Sequence, residues 1–404
     1  MTIKPLDQKH IILGVTGSIA AYKAAEIASK LTQGGALVDV ILTSSSEKFV
    51  APLTFQSVTG RRAYTDSDLW GREGHVTHIA LGHYADLVVI APASANTMAK
   101  LAHGMGDNLL SIAALAAHCP LILAPAMDAG MYDHPATQAN INTLRQRGVI
   151  FIGPASGHLA SGLVGPGRLS DPVEILGVIR HTLSRNGPLS GKKIVVTAGG
   201  TQEAIDPVRV ISNRSSGKQG FAVAQAALDA GAEVILIAGR NNLPPPFGCQ
   251  YHSVQSAQEM ADSVLQATLD ADVLIMAAAV ADFRPKAIAS QKIKKERGMP
   301  VIELEPTPDI LQAISQRKIK TGFPHHVVGF AAESQDLIEN AFHKLQKKSL
   351  DLIVANDISQ AETGFEVDQN KVSFLFADGR IESLPALSKS DVGEKIMEKV
   401  IGWF

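Results

Sequence analysis

Apolar residues along this chain come in short, unbroken runs separated by polar segments rich in Gly and Ser. In the first half the runs fall at 11–15, 37–42, 85–90, 121–123 and 149–152. In the second they fall at 194–197, 233–237, 273–276, 327–330 and 352–354. Each has the length of a strand and shows little alternation of apolar and polar positions. Such runs belong to strands buried on both faces, and the helical segments between them make the strands parallel. Helices are expected at 220–230, 257–269, 308–317, 336–347 and 389–400. Segments 372–376 and 380–384 flank Ala377-Asp-Gly379, a hairpin turn. At 180–193 the alternation lapses into a stretch rich in Gly, Pro and Ser, which marks a domain boundary. The pattern predicts two α/β domains, 1–188 and 189–404, each a doubly wound parallel sheet.

Ligands of such sheets bind at the carboxyl ends of the strands. Four polar motifs of the first domain lie there: Thr16-Gly-Ser-Ile-Ala-Ala-Tyr-Lys23, Thr43-Ser-Ser-Ser46, Pro92-Ala-Ser-Ala-Asn-Thr97 and Pro125-Ala-Met-Asp128. Gly17 permits the turn and Ser18 is placed to cap the next helix. Hydroxyls and backbone donors at three strand ends suit one phosphate and a polyol chain, as in a mononucleotide such as FMN. No acidic residue follows the second strand in the ribose-binding position, which disfavours a dinucleotide. Caps and turns alone account for each motif singly, though less well for all three together. In the second domain, Thr197-Ala-Gly-Gly-Thr201 ends a strand. Asp206-Pro-Val-Arg-Val-Ile-Ser-Asn-Arg-Ser-Ser-Gly-Lys-Gln-Gly220 leads into a helix. Small residues let backbone N–H groups approach an anion, and the helix N-terminus adds a favourable dipole. This is a phosphate-binding loop by composition, although it fits no standard glycine motif.

A length of 404 residues exceeds what one ordinary core holds. A net charge of −2 and 5% aromatic residues exclude a basic or base-stacking nucleic-acid surface. The longest apolar runs are too short to span a membrane and no signal peptide is visible, so a cytoplasmic protein is expected. Cys119 and Cys249 form no C-x-x-C, and Cys119 reads as a buried structural thiol.

Gly17-Ser-Ile-Ala-Ala-Tyr-Lys23, Pro92–Thr97, Pro125-Ala-Met-Asp-Ala-Gly-Met-Tyr132 and residues 157–168 resemble the flavin-containing cysteine decarboxylases. Asp206-Pro-Val-Arg209, Ser212-Asn-Arg-Ser-Ser-Gly217, Ala277-Ala-Ala-Val-Ala-Asp282, Lys292-Ile-Lys-Lys295 and Val328-Gly-Phe-Ala-Ala-Glu333 resemble phosphopantothenate–cysteine ligase. Joined in this order over almost the whole chain, they are similar to the bifunctional decarboxylase–ligase family of coenzyme A biosynthesis. The resemblance implies a flavodoxin-like FMN domain followed by a Rossmann-like CTP-binding ligase domain. The ligase would couple cysteine to 4′-phosphopantothenate through an acyl-cytidylate. The FMN domain would then decarboxylate and reduce the product to 4′-phosphopantetheine.

By the same resemblance, FMN contacts Gly17, Ser18, Ile19, Thr43, Ser44, Ser94, Ala95, Asn96 and Thr97. His78 is the decarboxylase base, with His75 and His83 as nearby competitors. Met127, Asp128, Ala160, Gly162 and Arg168 hold the substrate. Two positions depart from the family pattern. Asp128 replaces an Asn that donates to the substrate carboxylate, and Ser161 replaces the Cys taken as proton donor. Ionised Asp only accepts hydrogen bonds, so Asp128 is expected to be protonated or accompanied by a cation. Tyr132 stands where relatives carry Trp or Tyr. CTP would meet Ala278, Asp282, Lys292, Thr307, Pro308, Asp309, Ile310, Phe330, Lys344 and Lys348, with Lys292 on a mobile flap at 291–300. Lys344 and Lys348 share one helix face, which an ordinary solvated face explains equally well. Asn213 would hold the acyl-cytidylate, and Mg²⁺ would ride on the nucleotide, since no carboxylate cage is evident. A homo-oligomer with decarboxylase sites between subunits is implied. Two rivals are an active ligase whose altered first domain decarboxylates without reduction, and a flavin-binding regulatory protein.

Overall fold

The computed structural model describes residues 3–70, 77–294, 301–333, 337–357 and 369–404. The chain folds into two compact units, one of residues 4–183 and one of residues 184–404 together with 1–3.

The N-terminal unit carries strands β1 (His10–Val15), β2 (Leu37–Leu42), β3 (Ala63–Tyr64), β4 (Leu87–Ala93), β5 (Leu121–Pro125) and β6 (Ile150–Phe151). They form one parallel sheet in the order β3-β2-β1-β4-β5-β6. Its helices are α1 (Ala21–Gln33), α2 (Pro52–Thr59), α3 (Thr77–Tyr84), α4 (Ala95–His103), α5 (Leu109–Ala116), α6 (Ala129–Asp133), α7 (Pro135–Gln146) and α8 (Pro172–Ser184). A separate antiparallel hairpin joins β7 (Ala155–His158) to β8 (Val164–Arg168). The unbroken apolar runs have a direct cause: successive residues of one strand enter different cores. Leu13 and Val89 pack with α1 and α8 residues such as Ile27 and Ile179. Ile12 and Val88 pack with Leu110 and Ile141 on the other face. Full burial of each such side chain contributes about 1.5–3 kcal/mol. β4 starts two residues later than the apolar run suggests. The carboxylate of Asp86 is engaged by the backbone N–H of His10 and by Lys9 Nζ, both at 2.9 Å. Cys119 is half-buried, and that burial pushes its thiol pKa up.

The C-terminal unit carries β9 (Lys193–Ala198), β10 (Gln202–Ala204), β11 (Val210–Ser212), β12 (Glu233–Ala238), β13 (Gln250–Ser253) and β14 (Val273–Met276). These are followed by β15 (Phe283–Pro285), β16 (Leu304–Pro306), β17 (His326–Glu333), β18 (Leu352–Asp357), β19 (Gln369–Phe376) and β20 (Ile381–Ser388). Eight of these strands form a sheet ordered β13-β12-β9-β14-β17-β18-β19-β20. The first six are parallel, and the β19–β20 hairpin is added antiparallel. Helices α9 (Lys218–Asp229), α10 (Ala257–Ala267), α11 (Ile310–Thr321), α12 (Leu337–Lys347) and α13 (Lys389–Ile401) cover it. The expected helix at 336–347 begins at Leu337 among the described residues. The pairs β10–β11 and β15–β16 stand outside the sheet.

Counted within each unit, both parallel sheets run third, second, first, fourth, fifth, sixth. The order in which strands are added therefore reverses between the first and fourth strands, where a doubly wound sheet opens a crevice.

Candidate active sites at two switch points

In the N-terminal unit the crevice opens between β1 and β4. Buried Thr16 spans it: its hydroxyl donates to Pro92 O at 2.7 Å and accepts from the backbone N–H of Ser94 at 2.9 Å. Gly17 lets the loops after β1 and β2 touch, since a Cβ there would lie 2.6 Å from Ser45 Cβ. Ser18 does not cap α1 as expected. The helix starts later, at an Ala20 N-cap without a side-chain bond, and Ser18 Oγ accepts from the Ala20 N–H at 3.3 Å. At the start of α1 the Ala20 and Ala21 N–H groups bond to Ser18 and the Lys23 N–H to Ala20 O, beside exposed Ile19. Thr43 is buried, while Ser44 is exposed and donates its N–H to Asp66. Ser94 caps α4 by accepting from Thr97 N, leaving Ala95 and Asn96 at the helix start. This donor set fits a phosphate and a polyol.

Asp128, at the end of β5, and Ser161, at the tip of the β7–β8 hairpin, lie 33 residues apart in sequence and meet in space. Ser161 Oγ donates to Asp128 Oδ2 at 2.6 Å, and the Gly130 N–H donates to Oδ1 at 3.0 Å. The Ser161 hydroxyl first, then the Gly130 N–H, hold the Asp128 carboxyl below its ordinary pKa. The structure thus adds Ser161 as the hydrogen-bond partner of Asp128, while the expectation of a protonated Asp128 or a neighbouring cation concerns the substrate carboxylate. The tip is shaped by Leu159 N–H to Leu163 O at 2.8 Å and Gly162 N–H to Leu159 O at 2.9 Å, with Ala160 and Ser161 exposed. Met127 N–H donates to Gly167 O, which ties the β5 end to β8, and exposed Arg168 closes that strand.

His78 lies in the first turn of α3, which packs against α5 and β1. Its Nδ1 is buried and has no hydrogen-bond partner among the described residues. His83 is occupied by a ring contact with His118 at 5.6 Å, and His75 lies outside the described residues. No hydrogen bond among the described residues joins His78 to Asp128 or Ser161.

In the C-terminal unit two buried threonines span the corresponding crevice. Thr197 Oγ1 accepts from Ala278 N at 3.1 Å, and Thr201 Oγ1 accepts from Ala281 N at 2.9 Å. Gly217 is the N-cap of α9 at φ +75°, a conformation that favours glycine. At Gly220 a Cβ would lie 2.5 Å from Ala198 Cβ, so glycine lets α9 sit directly on β9. Asn213 Nδ2 donates to Val280 O at 3.0 Å, which fixes the loop across the crevice. Thr307 closes the far wall through bonds to Ala281 O at 2.6 Å and Asp282 O at 3.0 Å.

These groups enclose a cavity of about 710 Å³. Of the expected nucleotide residues it brings together Ala278, exposed Asp282, Thr307–Ile310, Phe330, Lys344 and Lys348. Lys344 Nζ donates to Phe330 O at 2.8 Å, and Lys348 pairs with Asp309, the N-cap of α11. Burial raises the Asp309 pKa, but Lys348 and the Gln312 N–H outweigh it and the net shift is downward. Lys292 is exposed and does not line the cavity. Its neighbour Ile293 is anchored. The Ile293 N–H donates to Asp206 at 3.1 Å, and its carbonyl accepts from Arg209 at 3.2 Å. The flap therefore begins from a fixed point, and residues 295–300, with Lys295, lie outside the described residues. Gln219, Asn356, Asn370 and Lys389 also line the cavity. Gln219 stood in the sequence reading only as part of the loop 206–220, and Asn356, Asn370 and Lys389 were missed. The available signal was register: Asn370 is two residues before buried Val372, on the same face of its strand.

A family model described as flavoprotein matches residues 2–184, and one described as DNA/pantothenate metabolism flavoprotein C-terminal domain matches 189–403. The chain is 44% identical over 398 residues to the coenzyme A biosynthesis bifunctional protein CoaBC of Bacillus subtilis, covering 98% of this chain and 97% of that one. It belongs to the CoaBC family. The CoaBC of Vibrio cholerae is 43% identical over 403 residues, covering 98% of this chain and 99% of that one. A solved C-terminal domain of CoaBC aligns at 40% identity over 54% of this chain and 98% of its own, with a TM-score of 0.46. As a CoaBC protein, the chain is a bifunctional enzyme of coenzyme A biosynthesis, with a decarboxylase and a ligase activity and a flavoprotein half. The regulatory alternative is set aside. No helix among the described residues is long and apolar enough to cross a membrane.

Proposed function

We propose that the ligase resides in residues 189–404 and joins cysteine to 4′-phosphopantothenate at the expense of CTP. The observation that carries this reading is the cavity at the β9–β14 switch point, with an anion-receiving helix N-terminus on one wall and two lysines on another. The substrate carboxylate attacks the α-phosphate, pyrophosphate leaves, and the cysteine amine displaces CMP from the acyl-cytidylate. Charge on the phosphates is met by the α9 N-terminus, Lys344 and Lys348, the last released from Asp309 as phosphate competes for it. Asn213, held by Val280 O, orients the activated acyl group. Lys292, anchored beside Ile293, reaches the triphosphate. Mg²⁺ is carried on the nucleotide; no cluster of three or more His, Cys, Asp or Glu among the described residues could hold a metal.

Residues 1–188 would hold FMN through the first turns of α1 and α4, Gly17, Thr43 and Ser44. Bound there, FMN supplies the two-electron oxidant of the cysteinyl thiol and later the reductant of the decarboxylated product. His78 takes the thiol proton through its unpartnered nitrogen. Met127, Ala160, Gly162 and Arg168 surround the substrate carboxylate beside the Asp128–Ser161 pair. The family resemblance supports a homo-oligomer whose decarboxylase sites form between subunits. The protein works in the cytoplasm. Mass spectrometry of products made with CTP, ATP and no nucleotide tests both halves. Phosphopantetheine formed only with CTP is expected. A product two mass units lighter shows that the first half decarboxylates without reducing, which the departures at Asp128 and Ser161 make the leading alternative.

A further inference from the structure

The deep end of the C-terminal cavity, formed by β18, β19 and the starts of α9 and α13, holds a chain of carboxamides with a defined polarity. Lys389 O is a backbone carbonyl and can only accept. Gln219 Nε2 donates to it at 3.1 Å, so Gln219 Oε1 faces the other way and accepts from Asn370 Nδ2 at 2.9 Å. That bond takes the Asn370 amide nitrogen and leaves its Oδ1 as the end of the chain. Asn370 is only 4% exposed, and this oxygen has no partner among the described residues. Asn356 Oδ1 is likewise buried and unpartnered. Asn356 pairs with Val372 across β18 and β19, and Asn370 is two residues from Val372, so the two amides share one face. Both line the cavity.

Two buried oxygens without donors call for a ligand group that donates hydrogen bonds. Phosphate oxygens and carboxylates only accept. The oxygens carry no charge, which suits hydroxyls. Gln219 is the second residue of α9, so the chain of carboxamides starts in the first turn of the helix whose N-terminus is proposed to receive phosphate. In a nucleotide the group next to the phosphates is the sugar. We propose that Asn370, with Asn356 beside it, is a subsite for the sugar hydroxyls of the nucleotide. This rests on the reading that the cavity takes CTP.

Calorimetric titration of the full-length protein with CTP, 2′-deoxy-CTP, 3′-deoxy-CTP and UTP, in the presence of Mg²⁺, tests it. Loss of one sugar hydroxyl is expected to weaken wild-type binding roughly three- to tenfold, the worth of a neutral hydrogen bond. Asn370→Ala should weaken CTP by the same factor and bind CTP and that deoxynucleotide equally well, with the CTP-to-UTP ratio unchanged. Equal weakening of CTP and both deoxynucleotides would overturn the subsite in favour of a structural role. A change confined to the CTP-to-UTP ratio would overturn it in favour of the base. Should Asn370→Ala not fold, Asn356→Ala carries the same comparison. If the wild-type protein binds no CTP, the nucleotide reading of the cavity itself fails, a result distinct from the others.

Discussion

The two sheets share one strand order and one device, a buried threonine hydroxyl at or just after the end of the first strand that bonds to the segment at the end of the fourth. Thr16 does this in the N-terminal unit, and Thr197 and Thr201 in the C-terminal unit. What differs is what is built over the crevice. In the N-terminal unit the loops after β1, β2 and β4 are short, and their hydroxyls and helix ends lie partly open. In the C-terminal unit the β15–β16 pair, α11 and α12 stand round a cavity of about 710 Å³. Strand order thus decides where chemistry can occur, and the excursions from the strand ends decide which chemistry it is.

The comparison can be broken at each crevice separately. Asn213→Asp puts a carboxylate against Val280 O and the substrate phosphate, and should slow overall ligation by about 10²-fold or more, the scale for losing one oriented donor. The acyl-cytidylate should accumulate. Normal full turnover in a coupled pyrophosphate assay would refute the role assigned to Asn213. His78→Asn should reduce decarboxylation by at least about 10²-fold while the purified protein stays yellow. Loss of flavin absorbance would make His78 a structural residue.

Thr16→Val and Thr201→Val sharpen the shared element. Each strands at least one backbone group and should cost about 1–3 kcal/mol in denaturant unfolding of its own unit. If only one variant is destabilised, the likeness of the crevices is topological and not energetic. Ser161→Ala gives the smallest effect. Without the Ser161 hydroxyl, the Asp128 titration followed by NMR should move up toward an ordinary carboxyl. Because the folded-state pKa of Asp128 is depressed, its stabilising contribution is present above the unfolded pKa and is lost as pH falls through the folded value. In the alanine variant that loss should begin at higher pH. An unmoved Asp128 titration would show that Gly130 alone sets the carboxyl.

The strands of both sheet centres were legible because burial on two faces leaves an unbroken apolar signature. The edge strand β13 was not: Gln250–Ser253 is exposed throughout, and only pairing with β12 makes it a strand. The β7–β8 hairpin was invisible for a related reason, since its Gly and Pro residues carry no strand pattern and their partners are decided by tertiary contacts. Loops at strand ends were legible as sites because the topology puts them there. Side-chain pairings across those loops were not. Nothing local to Asp128 announces Ser161, and nothing near Asn370 announces Gln219, 151 residues away.

The Asp128–Ser161 bond also has a mutational consequence. Two side chains in contact are energetically coupled, so the effect of a change at one depends on the residue at the other. Starting from this chain, Asn at 128 or Cys at 161 introduced alone would meet a partner suited to something else. Exchanges at 128 and 161 are therefore expected to be non-additive, and a double-mutant cycle over the two positions measures that coupling.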